Sequence, residues 1–116
     1  MDSMPNAPDQ QTRNSVTARI TAHIAVGWPR LGEPEVRYHG QYCYVAARLP
    51  GHREPTPILR LRWQGSPNNW AIGIYKASTG QYTEAELPGS FTGTTGTPEQ
   101  GIDETFILYA GPKTTD

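Results

Sequence analysis

Between Glu35 and Lys76 the apolar residues recur with a period of two, and the runs that keep this period are separated only by short turns. "EVRYHGQYCYVAARL" reads as two strands with a turn or bulge at His39-Gly40, and "PILRLRWQ" as a third. "WAIGIYKA" follows the turn "GSPNN" as a fourth, and "YTEAEL", beyond "STGQ", is a fifth short strand or edge segment. Parallel neighbours need a long crossover, so strands this closely spaced pair as antiparallel hairpins.

The period changes at both ends. Val16, Ile20 and Ile24 repeat at i+4, Asn14 or Ser15 is placed to cap, and Gly27 with Pro29 supplies a stop. These signals predict a helix from about Ser15 to Val26. A second helix is predicted from Pro98 to Ala110. Thr97 is its N-cap, Gln100 completes a capping box, and Pro98 takes the first helical position. Ile102, Phe106 and Ile107 form its stripe with Tyr109 and Ala110 alongside, and Gly111-Pro112 ends it. A strand over "TFILYA" is the competing reading. The expected fold is α+β, a two-layer sandwich ordered helix, four- or five-stranded antiparallel meander, helix, with both helices on one sheet face.

A chain of 116 residues suits one domain. Residues 1–13 carry too little apolar surface to offset the entropy of ordering and are expected to be a disordered tail. The domain is then 14–112, with a short C-terminal tail at 113–116. "MDSMPNAPDQQTRN" has no apolar h-region and no run approaches the roughly 18 residues that span a bilayer, so a cytoplasmic protein without a membrane partner is expected. The lone Cys43 excludes an internal disulfide framework. Basic residues are 8 Arg against 2 Lys, a skew that a GC-rich genome explains as readily as function does.

Alternation sorts the strand side chains into two faces. Cys43, Val45, Ala47 and Leu49 share one face with Leu59, Leu61, Trp63, Trp70, Ile72 and Ile74. Ile58, Ala71 and Gly73 fall on the other, together with Arg37, His39, Tyr42, Tyr44, Arg48, Arg60, Arg62 and Tyr75. Residues 35–64 hold five arginines against Glu35 and Glu54, a balance of +3, whereas residues 77–116 balance at -5. The net charge is only -1, so the chain is polarised rather than basic. A face interleaving arginine with tyrosine suits a protein partner or self-association, because both are favoured interface residues. It also suits single-stranded nucleic acid, where rings stack on bases and guanidinium groups meet phosphates. Weighed ahead of both is a merely solvated sheet face, since tyrosine and arginine are good strand residues that tolerate water.

Catalytic chemistry finds little support. His23, His39, His52 and Cys43 lie on different elements with no metal-ligand spacing, and "HGQYC" is a weak pair, so no metal is expected. His23 borders the apolar stripe and reads as a packed or rim residue. A nucleophilic Cys43 would need a base and an exposed, electropositive setting, but Cys43 falls on the core face and reads as a small buried hydrophobe. Glu84 and Glu86 would stand roughly 7 Å apart on one strand face, but alternating charges on an edge strand serve as edge protection. Trp28, Trp63, Trp70 and Tyr38 could line a pocket between sheet and helices, although three tryptophans in so small a core also serve as its packing. The glycine-rich "GSFTGTTGTPEQG", residues 89–101, has no cation between Lys76 and Lys113 to meet a phosphate. It reads as a flexible connection ending in a capped helix.

"WAIGIYKASTGQYTEAELP" followed by "GTPEQGIDETFILYAG" resembles a group of small uncharacterised proteins from GC-rich bacteria. They share a tryptophan-led strand, an acidic segment ending in "LP" and a "GTPE" helix start. The resemblance covers about residues 60–112 and implies no functional residues. It suggests at most an accessory protein encoded near mobile elements. The expected role is a non-catalytic binding module acting through the Arg/Tyr face, with no cofactor. A small-molecule-binding protein or enzyme using the tryptophan-lined pocket is the alternative, and a single-stranded nucleic-acid binder is the third.

Overall fold

The computed structural model of the chain describes residues 7–83 and 95–110, the last three without their side chains. Helix α1 spans Gln10–Gly27 and helix α2 spans Pro98–Ala110. Between them lie strands β1 (Glu35–His39), β2 (Tyr42–Ala47), β3 (Thr56–Ser66), β4 (Asn69–Lys76), β5 (Gln81–Thr83) and β6 (Thr95–Gly96). The sheet is ordered β1-β2-β3-β4-β5 and antiparallel throughout, with β6 also paired to β4. This is the predicted α+β meander with a helix on each side of it in sequence.

Helix α1 begins earlier than its apolar pattern suggests. Asp9 is the N-cap, its carboxylate accepting the Thr12 N–H at 2.8 Å, so Asn14 and Ser15 lie inside the helix. Residues 10–13, read from sequence as tail, are its first turn. Polar residues suffice there because the cap and the next element hold the turn in place. Arg13 Nε donates to the Pro8 carbonyl at 3.1 Å, and the Tyr38 hydroxyl of β1 donates to the Arg13 carbonyl at 3.0 Å. Residues 1–6 of the expected N-terminal tail and the C-terminal residues 111–116 lie outside the described residues. So do Glu84, Glu86 and residues 84–94.

Val16, Ile20 and Ile24 turn one face of α1 onto the sheet and have no exposed surface. They meet Cys43, Val45, Leu59, Leu61, Trp70 and Ile72 from the strands and Ile102 and Phe106 from α2 in one core. Burying a side chain of this size contributes roughly 1.5–3 kcal/mol. Trp28 follows α1, fully buried, and its ring lies 5.3 Å from that of Phe106. Helix α2 starts at the predicted capping box. Gln100 N–H donates to Thr97 Oγ1 at 3.1 Å, and Thr97 N–H donates to Gln100 Oε1 at 2.8 Å. One turn in, Gly101 brings α2 down onto the sheet, because a Cβ there would stand 3.2 Å from Ile72 and 3.4 Å from Leu59.

Three details refine the expected pattern. Ile58, expected on the open face, has no exposed surface. Val45 pairs with Leu59 but Ala46 with Pro57, so Ile58 is the extra residue of a bulge. A bulge sets two residues against one and breaks the alternation, which turns Ile58 inward. Ala71 and Gly73 keep their expected place on the open face, opposite Arg62 and Arg60, but are buried beneath the larger side chains there. Finally, the last residues of the expected flexible connection, Thr95–Gly96, pair with Ala71 and Trp70 as β6.

Candidate interaction face

The helices leave one face of the sheet uncovered, and strand register assembles the side chains there. Tyr44 lies opposite Arg37 on one side and Arg60 on the other. Tyr42 lies between His39 and Arg62, and Tyr75 pairs with Tyr82. Arg60 lies opposite Gly73, and Arg62 opposite Ala71. These two small residues leave the upper side of β4 nearly flat. Side chains from β2 and β3 can therefore reach across it to β5.

The result is a continuous aromatic and guanidinium layer. The Arg60 guanidinium sits 4.3 Å from the Tyr42 ring centre and 5.2 Å from that of Tyr82. Arg37 lies 5.7 Å over Tyr44. Tyr82 meets Tyr44 at 5.5 Å and Tyr75 at 5.2 Å, both edge to face, and Tyr42 and Tyr44 are 6.0 Å apart. Each exposed cation–π contact contributes about 0.5–1 kcal/mol. Burial pushes the Tyr82 hydroxyl above the usual tyrosine range, with Tyr44 and Tyr75 adding to the shift.

Of the residues expected on this face, Arg37, Tyr42, Tyr44, Arg60 and Tyr75 join the layer, and His39 and Arg62 flank Tyr42 in register. Arg48 does not join it. It lies one residue beyond β2 and lines an open groove of about 420 Å3 with Glu33, Pro34, Glu35 and Pro55. Tyr82, central to the layer, is absent from the sequence-based set. Its signal is hairpin symmetry, since Tyr75 and Tyr82 stand at equal distances from the centre of the "ASTG" turn.

The four residues of the alternative pocket are placed otherwise. Trp28 and Trp70 have no exposed surface, and Trp63 stands edge-on to Trp70 at 5.1 Å. Trp70 Nε1 donates to the Pro67 carbonyl at 2.9 Å. The Tyr38 hydroxyl, having donated to Arg13, accepts from Thr17 Oγ1 at 3.1 Å, and burial pushes its pKa well up. Burial likewise pushes the Cys43 thiol up to about 12, which withholds the thiolate a nucleophile requires. Among the described residues, no group of three or more His, Cys, Asp or Glu side chains is placed to hold a metal ion.

Part of the acidity of the C-terminal half is matched inside the fold. Arg19 Nε and Nη2 donate to the two Glu99 carboxylate oxygens at 2.9 and 2.8 Å. One turn further along both helices, His23 Nε2 stands 2.8 Å from Asp103 Oδ1. No helix among the described residues is long and apolar enough to cross a membrane. Comparison of the chain with protein-family models, curated proteins and solved structures finds no match, so any function must be argued from this geometry.

Proposed function

We propose that the chain is a non-catalytic interaction module that receives an acidic protein partner on the Arg/Tyr face. One observation carries this reading: arginine and tyrosine side chains from five strands are held against one another on the face that the helices leave open. Side chains already ordered in the free protein lose little entropy on binding. Tyrosine and arginine also dominate the energetically important centres of protein interfaces. Among the described residues, Glu35 is the only carboxylate on strands β1 to β5, which also carry Arg37, Arg60, Arg62 and Lys76. An acidic segment therefore meets a field of the opposite sign.

The same geometry disfavours a single nucleic-acid strand. Base stacking needs an open ring face, but Arg60 lies over Tyr42 and Tyr82, and the rings of Tyr44, Tyr75 and Tyr82 meet edge to face. The test is an NMR titration with an Asp/Glu-rich peptide, beside a neutral peptide and an oligothymidylate. Shifts at Arg37, Tyr44 and Tyr75 with the acidic peptide alone, weakened by salt and lost in Tyr44→Glu, are expected. Equal shifts with the neutral peptide, or binding of the oligonucleotide alone, would overturn the reading.

A further inference from the structure

We propose that two copies of the chain join through the outer edge of β1, pairing antiparallel about Val36. The proposal concerns the sheet edge and stands independently of the partner assigned to the Arg/Tyr face.

Strand β1 ends the sheet, pairing with β2 alone among the described strands. The opposite end is closed differently: β5 has three residues, and β6 shares that side of β4. Hydrogen-bond parity gives the direction of each backbone group of β1. The Gln41 carbonyl accepts the Trp63 N–H at 2.8 Å, so residue 41 points toward β3. Tyr42 therefore points toward β1 and forms the hydrogen-bonded pair with His39 that closes a two-residue hairpin loop. Gly40 has φ 60, whereas Gln41, like every described non-glycine residue, does not have positive φ, which makes this a type II′ turn. Counting back, Glu35, Arg37 and His39 bond to β2. The N–H and C=O groups of Val36 and Tyr38 face outward.

Those outward groups permit a second β1 strand, and side-chain charge selects its register. Pairing about Val36 sets the two Val36 residues opposite each other, exchanging both of their hydrogen bonds. Each Tyr38 N–H then donates to the Pro34 carbonyl of the other copy. Pro34 has no N–H to return, so it ends the ladder there. On the open face, Glu35 of each copy falls opposite Arg37 of the other, giving two cross-strand ion pairs. Pairing about Arg37 would instead oppose the two arginines, and pairing about Tyr38 would set Arg37 against His39. Opposite charges directly across strands stabilise and like charges destabilise. Glu35 and Arg37 are both exposed in the single copy, where the two carry opposite charges two residues apart on one strand face. A strand with that pattern is complementary to itself when reversed. The joined sheet would place the two Arg/Tyr layers side by side, with Arg37 and Tyr44 nearest the twofold axis.

Sedimentation equilibrium on the intact chain, carried to millimolar concentration, tests the proposal alongside amide hydrogen exchange. A reversible monomer–dimer equilibrium is expected. With rising concentration, exchange should slow at the Val36 and Tyr38 amides, while Glu35, Arg37 and His39 are protected at every concentration. Arg37→Glu should weaken the dimer by about tenfold, since it sets two glutamate pairs in opposition. The double exchange Glu35→Arg, Arg37→Glu should restore it, because each ion pair is rebuilt with its charges reversed. Far-ultraviolet circular dichroism verifies that each variant is folded. A chain that stays monomeric throughout overturns the proposal. So does a dimer indifferent to Arg37→Glu, and a folded double variant that remains weak excludes the Val36 register. None of these outcomes depends on whether an acidic peptide binds the Arg/Tyr face.

Discussion

On the covered face of the sheet, Cys43, Val45, Leu59, Leu61, Trp70 and Ile72 expose at most 1% of their surface. On the open face, Tyr42, Tyr44, Arg60, Arg62, Tyr75 and Tyr82 remain half-buried, in a layer held by contacts within it rather than by either helix. The covered face is held by volume, because each side chain must fill space that nothing else fills. The open face is held by pairwise contacts between groups that water could also satisfy. The first arrangement makes the fold stable. The second leaves a structured surface whose loss the fold can survive.

The widest gap between the two faces is expected from one substitution on each. Trp28→Ala empties a fully buried indole site against Phe106 and should cost about 3–5 kcal/mol in urea unfolding. Tyr44→Ala removes ring contacts to Tyr42 and Tyr82, and should cost about 1 kcal/mol. Comparable losses at the two positions would mean that the open layer is structural, and the comparison would fail. A smaller effect probes the covered face from the other direction. Gly101→Leu forces a side chain into the 3.2 Å gap above Ile72 and should cost about 1–3 kcal/mol by overpacking. A neutral result would show that α2 can lift off the sheet.

The same contrast governs how much of the molecule was legible beforehand. Val16, Ile20, Ile24 and the alternating strand residues announce the covered face, because burial leaves a periodic mark on sequence. The capping box Thr97–Gln100 announces the start of α2 just as plainly. Its removal in Thr97→Ala should cost about 1 kcal/mol in the same unfolding experiment. The first turn of α1 carries no apolar period, and its cap Asp9 is legible only once the helix is known to reach that far. Ile58 was misplaced because a bulge depends on how two strands slip against each other, which neither strand records alone. On the open face the residue types were legible, but which of them touch was not. Tyr82 enters the layer through hairpin pairing, and Arg48 leaves it because β2 ends at Ala47. The sequence allows the tryptophans either as a pocket lining or as packing; Trp28 and Trp70 fill the core, and Trp63 packs half-buried against it. Composition cannot distinguish a lining from a filling.

The smallest effect expected lies at the seam between the helices, where charge rather than volume joins two elements of the covered side. The Arg19 hydrogen bonds hold the Glu99 carboxyl below its usual range, outweighing the opposing effect of burial. A carboxylate whose folded pKa is depressed stabilises the fold above its unfolded pKa, near 4.3 in general. That contribution is lost as pH falls through the folded value. The stability difference between the wild type and Glu99→Gln should therefore stay constant from neutral pH down to about 5, and shrink below about 4. Both side chains keep about 30% of their surface exposed, so the difference at neutral pH should lie within about 0.2–1 kcal/mol. Added salt should reduce it further, as it would not reduce the Trp28 or Gly101 effects. Urea unfolding of the wild type, Arg19→Ala, Glu99→Gln and the double variant across this pH range isolates the pair from Asp9, whose carboxyl is also held low by its Thr12 bonds. A Glu99→Gln deficit that persists undiminished in acid would assign the residue to packing and move this seam into the class of the covered face.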